Sequence, residues 1–431
     1  MKKSMLFSIP VIALLGSLSL QAKNQVPITS MTKSCKPLIN KNLKIPKVPI
    51  KAMKPRVHKR IAKALEMLAD EKYSESVTAF KVMMGEYKDL NVKATLARYI
   101  GIAYAQQSDT ANATRFFEKS LDYGKGVLQP KELQDLTQNV AAMHYSNDNT
   151  KQSLKYLERW LRNSNVDNDK VYILYSAILH QAKRSREAVC AAYFAAKTSK
   201  KPNKNALGIM LAVHFEFKKM DDSIKILKQL ILDFPKVKRY WRNISSIYMQ
   251  KDKISDALAV MELFYVQGMM ETEGDYKLLS AIFAFSDIPY RTAVILKEGI
   301  EKGVVKDNDK NWENVASGFH SANELEKAIV AYGKSASKTD SGKFDLKQAE
   351  LLSDLDEFKK AILAFNKALK KGSLKQPGKA YFGKGLAQIG LKQYNSAISS
   401  LTKATKYKKW NKRSKQWIAF VRNAKKNAEL L

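Results

Sequence analysis

The 431-residue sequence predicts an all-α fold, a solenoid of about ten helix pairs closed by a C-terminal capping helix. Three observations predict it. A pattern of small and bulky apolar residues recurs at intervals of 33 to 40 residues. No stretch sustains the alternation of a strand, and most prolines and glycines of the repeat fall between the recurring segments. The length exceeds what one hydrophobic core usually holds, so stacked repeats answer a real constraint.

The chain reads in four parts: 1–22, 23–55, 56–405 and 406–431. In the first, Lys2 and Lys3 precede an apolar run from Met5 to Leu20 and the ending Leu20-Gln21-Ala22. This is the layout of a secretory signal, with cleavage expected after Ala22, because sixteen residues interrupted by Pro10 are too few for a membrane span. No later segment is apolar for long enough to span, so the expected location is the periplasm of a Gram-negative cell, with no membrane span after cleavage.

Residues 23–60 carry eleven Lys or Arg and no acid, and Pro27, Pro37, Pro46, Pro49 and Pro55 break any helix. Residues 23–55 therefore read as a basic extended arm, either lying solvated on the helical body or serving an anionic surface. Lys403 to Lys426 mirror it with ten cations and no acid. The whole chain has 75 Lys and Arg against 41 Asp and Glu, a formal charge of +34, yet residues 61–402 account for only +12 of it.

Within 56–405 the small residues are Ser76, Ala113, Ser153, Ala188, Ser223, Ala257, Thr292, Ala328, Ala361 and Ala397, each with bulky or small partners four and seven residues on. That spacing is one helical face. Twelve residues earlier lies a second such face, as in Trp241-Ile244-Ser245-Tyr248, so each unit is two helices. Small residues let the backbones approach until an aromatic of one helix fills the gap beside the other, and one pair cannot bury both faces alone. Pro130, Pro202, Pro235 and Pro377 read as breaks between units, Pro289 as a turn residue inside the seventh. Against the other units, the turn of the seventh also looks one residue short.

The Trp/Leu/Gly/Tyr…Ala/Phe/Ala/Pro skeleton, clearest in Trp241, Ile244, Tyr248 and Ala257 and in Ser223, Leu227, Leu230 and Pro235, resembles the tetratricopeptide repeat. The resemblance implies a right-handed superhelix whose first helices line an inner groove, and a non-catalytic role in protein–protein interaction. The whole layout also resembles the periplasmic tetratricopeptide proteins encoded beside TonB–ExbB–ExbD energy-transduction systems. The features that carry this are the leader, the lysine-proline lead-in with one cysteine, the Lys201-Pro202-Asn203-Lys204-Asn205 linker, the Ile288-Pro289-Tyr290 turn, and the basic tail through Trp410 and Trp417. It implies TonB-type envelope components as partners.

Counting back three and six from each first-helix small position gives eighteen groove positions in pairs two to ten, eight basic and two acidic. They include Arg98, Gln138, Lys170, Asn205, Arg239, Arg242, Lys277, Lys310, Lys343 and Lys379, and the next turns add Tyr145, His180, Phe215, Met249 and His320. Such a channel suits an acidic peptide or a terminal carboxylate; equally, exposed positions in this chain are lysine-rich everywhere.

Chemistry is not signalled. HExxH, CxxC, GxSxG and P-loop motifs are absent, and Gly383, Gly385 and Gly390 have packing rather than phosphate spacing. His144 and His214 occupy slots held elsewhere by Tyr104 and Tyr248, as core residues do. No catalytic residue, metal or cofactor is expected. Cys35 and Cys190 leave two readings open, a disulfide stapling the arm to the array or a small buried thiol. The functional classes are then a periplasmic protein-binding scaffold, a binder of anionic envelope polymers such as lipopolysaccharide or cell wall through the basic ends, and an enzyme, which the motifs disfavour. Export and the lack of a recognition module argue against nucleic acid.

Overall fold

A computed structural model describes residues 25–49 and 52–429; the leader expected at 1–22 lies outside them. Among the described residues there are twenty-one helices, from α1 (Pro55–Ala69) to α21 (Lys408–Glu429), and no strand. They form ten successive antiparallel pairs plus the terminal helix, the α-solenoid that the periodicity predicts. The chain divides into an N-terminal unit ending at Tyr240 and a C-terminal unit beginning at Trp241, with the boundary inside α11 (Lys238–Gln250). Within each unit the second helix of a pair also packs on the first helix of the next, so each core is continuous along its stack.

One turn recurs in all ten pairs. Three residues join the helices and the middle one is left-handed: Glu71, Ser108, Asp148, Lys183, Lys218, Asp252, Asp287, Asn323, Asp356 and Lys392, with φ of 53 to 62°. None is glycine, although this region disfavours side chains. The compensation is a Schellman closure, in which the third turn residue donates its N–H to a carbonyl five residues back, as in Asp109 to Tyr104 at 2.9 Å and Arg184 to Leu179 at 2.8 Å. The seventh turn, Ser286-Asp287-Ile288, has the same length and the same bond, Ile288 to Phe283 at 2.9 Å. The expectation of a short seventh turn is thus corrected. Pro289 is the first residue of α14 (Pro289–Glu301), where its missing N–H costs nothing, and Pro130 and Pro377 likewise open helices rather than lying between them.

Packing follows the notch logic of the sequence. A Cβ on Gly101 of α3 (Leu90–Gln106) would stand 2.6 Å from the ring of Phe117 on α4 (Thr110–Gly124), and one on Gly383 2.5 Å from the ring of Phe365. Both glycines admit an aromatic from a neighbouring helix. His144 donates its Nε2–H to the Glu118 carboxylate at 3.0 Å and stacks on Tyr156, and His214 is fully buried, so both are core residues as expected.

The arm is a strap across the N-terminal unit, running opposite to the order of the repeats. Thr29 and Thr32 are buried and hydrogen-bond each other. His214 of α9 (Lys204–Glu216) places Nδ1 2.6 Å from the Met210 carbonyl, which can only accept, so the Thr29 hydroxyl donates to Nε2 at 2.9 Å. Burial pushes this imidazole below its usual value and keeps it neutral. Further along, Cys35 is disulfide-bonded to Cys190 of α8 (Ser185–Thr198), which closes the alternative of a buried thiol. Lys41 pairs with Asp167 at 2.8 Å, and Asn165 and Gln129 donate to the carbonyls of Leu43 and Val48.

Ser30 anchors the strap's far end, donating N–H and Oγ–H to buried Asp222 at 2.9 and 2.5 Å, with Lys225 at 2.9 Å. Burial pushes this carboxyl up, but the Ser30 donors and Lys225 outweigh it and hold the group at about 2. A depressed carboxyl contributes stability above its unfolded value near 4 that disappears as pH falls towards 2, about 2 kcal/mol here. The N-terminal unit should therefore lose about 2 kcal/mol more between those pH values than its Asp222→Asn variant. Urea midpoints measured across the range check this.

Candidate binding surface

The groove positions were counted for their cations, and the structure shows what those cations touch. Arg98 of α3 reaches Glu132 at the start of α5 (Pro130–Ser146) at 3.2 Å. Lys343 reaches back 2.6 Å to Glu313, and Lys379 back 2.6 Å to Glu350. Lys277 pairs at 2.6 Å with Glu273 on its own helix, α13 (Glu273–Phe285). Each is a pair between successive first helices or within one, so these side chains are spent on neighbouring repeats. Exposed pairs of this kind contribute little to stability, but they neutralise the channel.

Arg242 is different in kind. Its guanidinium grips the carboxylate of Asp275 through two bonds of 2.6 and 2.9 Å, and Glu271 lies 3.7 Å away. Asp275 is 1% exposed and also accepts the N–H groups of Glu271 and Thr272 at 3.1 and 3.0 Å, capping α13. Burial pushes the Asp275 carboxyl up, and the guanidinium and these amides bring it below its ordinary value. This is a structural clamp.

Of the remaining cations, Lys170 and Lys310 are exposed without an ion pair among the described residues, and Arg239 lies over the Tyr240 ring at 5.2 Å. His180 stands 3.8 Å from Glu216, His320 and Asn205 are exposed, and Gln138, Tyr145, Phe215 and Met249 are half-buried. The structure does not gather these residues into one site. Five of the eight cations counted for the channel, Arg98, Arg242, Lys277, Lys343 and Lys379, are held by carboxylates.

What the count missed is a cleft in the C-terminal unit. A pocket of about 580 Å³ opens between α13, α14 and α15 (Asp309–Ser321), lined by Lys277, Ser280, Ala281, Ala284, Thr292, Leu296, Asn314, Ser317 and Ser321 among others. Its space comes from small side chains at helical spacing, Ala281 and Ala284 on one wall and Ser317 and Ser321 on the other. A Cβ on Gly318 would stand 3.0 Å from Ala293, so that wall is already at contact. Lys277 is the only counted position on its rim. A run of small residues on two consecutive first helices was the available signal. Among the described residues no group of three or more His, Cys, Asp or Glu is placed to hold a metal ion.

No family model matches the sequence, and no curated protein matches it. Solved structures to which it is similar include a tetratricopeptide repeat protein from Parabacteroides merdae ATCC 43184, at 14% identity over 62% of this chain and 100% of that one, TM-score 0.38. Another is YrrB, described as a TPR protein with an unusual peptide-binding site, at 14% identity over 43% of this chain and 89% of that one, TM-score 0.36. MamA is a third, at 17% identity over 40% and 97%, TM-score 0.31. The helix pairs, turns and notches described above carry the fold without these likenesses.

Proposed function

We propose that this chain is an exported, non-catalytic scaffold of the tetratricopeptide type that seats an extended protein segment in the cleft between α13 and α15. The observation that carries this reading is the cleft itself, a concavity of about 580 Å³ walled by alanine and serine on consecutive first helices. Side chains this small leave room for a guest backbone, and the hydroxyls and Asn314 offer it donors and acceptors. The neutralised groove favours a polar segment over a strongly acidic one. Two features support a periplasmic setting. The leader-like residues 1–22 point to export, and a disulfide between Cys35 and Cys190 belongs to an oxidising compartment. The resemblance in layout makes TonB-type envelope assemblies the first place to look for the partner.

Filling the cleft tests this. Ala281→Trp together with Ser317→Trp should abolish co-purification of the envelope partner with the tagged chain, while helicity by circular dichroism is unchanged. A photo-crosslinker at Ser321 should attach to that same partner in the unsubstituted chain. Retention of the partner by the filled variant sinks the reading, and recovery of a partner unrelated to TonB, ExbB or ExbD removes only the assembly assignment.

A further inference from the structure

The end of the C-terminal unit, like the N-terminal arm, carries cations without acids. From Phe358 to Ala428 there is no acidic residue in the sequence, and there are nineteen Lys or Arg. Lys360, Lys371 and Lys379 reach carboxylates that precede the stretch, Glu357, Asp345 and Glu350. Within the stretch Lys403 neighbours Lys384, and burial together with that like charge pushes the Lys384 ammonium down.

α21 concentrates this. Its inner face seats Ser414 and Val421, both fully buried, and Trp410 packs 5.0 Å from Phe382. Opposite, Lys408, Lys412, Lys415, Arg422 and Lys426 recur at intervals of three, four and seven, a single stripe along the helix. None of these five has an ion pair among the described residues. About a third of a turn round the helix from the stripe, on the side of Lys409 and Arg413, Phe420 is 56% exposed, held edge-on by Trp417 with ring centroids 5.5 Å apart.

We propose that the outer face of α21 is a peripheral docking surface for a bilayer of anionic phospholipid. Cations without counter-charges seek phosphate, and the aromatic edge selects among its sources. A soluble polyanion gains nothing from covering Phe420, whereas a headgroup layer takes up the ring and pairs with the adjoining cations. No helix among the described residues is long and apolar enough to cross a membrane, so the contact lies on the surface rather than through it. The proposal is independent of the cleft, and substitutions there leave it untouched.

Vesicle flotation of the full chain in about 0.1 M salt, where the Debye length is about 10 Å, provides the test. Vesicles of phosphatidylcholine with phosphatidylglycerol should carry the protein, with a blue shift of tryptophan emission, and vesicles of phosphatidylcholine alone should not. Lys412→Gln, Lys415→Gln and Lys426→Gln combined should weaken partitioning about a hundredfold, since each cation at an anionic leaflet contributes about a factor of five. Phe420→Ser should weaken it about fivefold while keeping the preference for anionic lipid. All four positions are exposed, and circular dichroism verifies that the variants stay helical. Equal binding to neutral and anionic vesicles, or a triple variant that floats like the parent, overturns the proposal. So does a chain that binds soluble polyglutamate but leaves the vesicles bare, which would make an acidic polypeptide the partner.

Discussion

Cys35→Ser should lower the stability of the N-terminal unit by about 2 to 5 kcal/mol in the oxidised protein. The bridge joins residues 155 apart, and in the chain-entropy account a loop of that length approaches about 5 kcal/mol, because the unbridged unfolded chain explores far more space. The lower end of the range applies if Thr29 on His214, Ser30 on Asp222 and Lys41 on Asp167 keep the strap in place without the covalent link. Urea unfolding of Cys35→Ser, Cys190→Ser and the double variant distinguishes the bridge from two separate side-chain effects. All three should shift the midpoint equally, since either substitution removes the same bond. Thiol titration of the denatured parent should find no free cysteine. Two free thiols, or a double variant twice as damaged as either single one, would show that the cysteines act separately. Reduction should also raise amide exchange across residues 29–35 while α3 and α4 stay protected.

The helix pairs were legible because their signal is local and periodic. A small residue at a fixed offset, such as Gly101 twelve before Ala113, appears in the sequence at the interval at which it packs. Pro289 misled for an equally physical reason. A proline after a turn and a proline opening a helix look alike in sequence, and only the Ile288 to Phe283 bond separates them. The strap's composition was visible, but its anchors were not, since Thr29 and His214 are 185 residues apart and no pattern links them. The groove's cations were legible, but their ion pairs were not. Cations were counted at inward offsets, and of their carboxylates only Glu313 stands at a counted offset; Glu132, Asp275 and Glu350 stand about one repeat away at others.

Asp275→Ala should destabilise the C-terminal unit by about 3 to 5 kcal/mol, because it removes one partner of a buried pair and the cap of α13 at once. The guanidinium of Arg242 would be left facing Glu271 alone, and the amides of Glu271 and Thr272 would lose their acceptor. Arg242→Ala should cost somewhat less, because those two amides still satisfy the carboxylate. Arg242→Glu should be worse than either, since it sets a like charge against Asp275 and Glu271. Lys379→Ala, at a half-buried pair with Glu350 that caps no helix, should cost less than Asp275→Ala, about 1 kcal/mol. The order of the four in thermal unfolding is the discriminating result, and equal small effects would show that Arg242 is an ordinary groove cation after all. The order also decides how binding experiments are read. A partner lost with Arg242→Glu reports a broken α11–α13 clamp, whereas a partner lost with the exposed Lys310→Glu reports a contact.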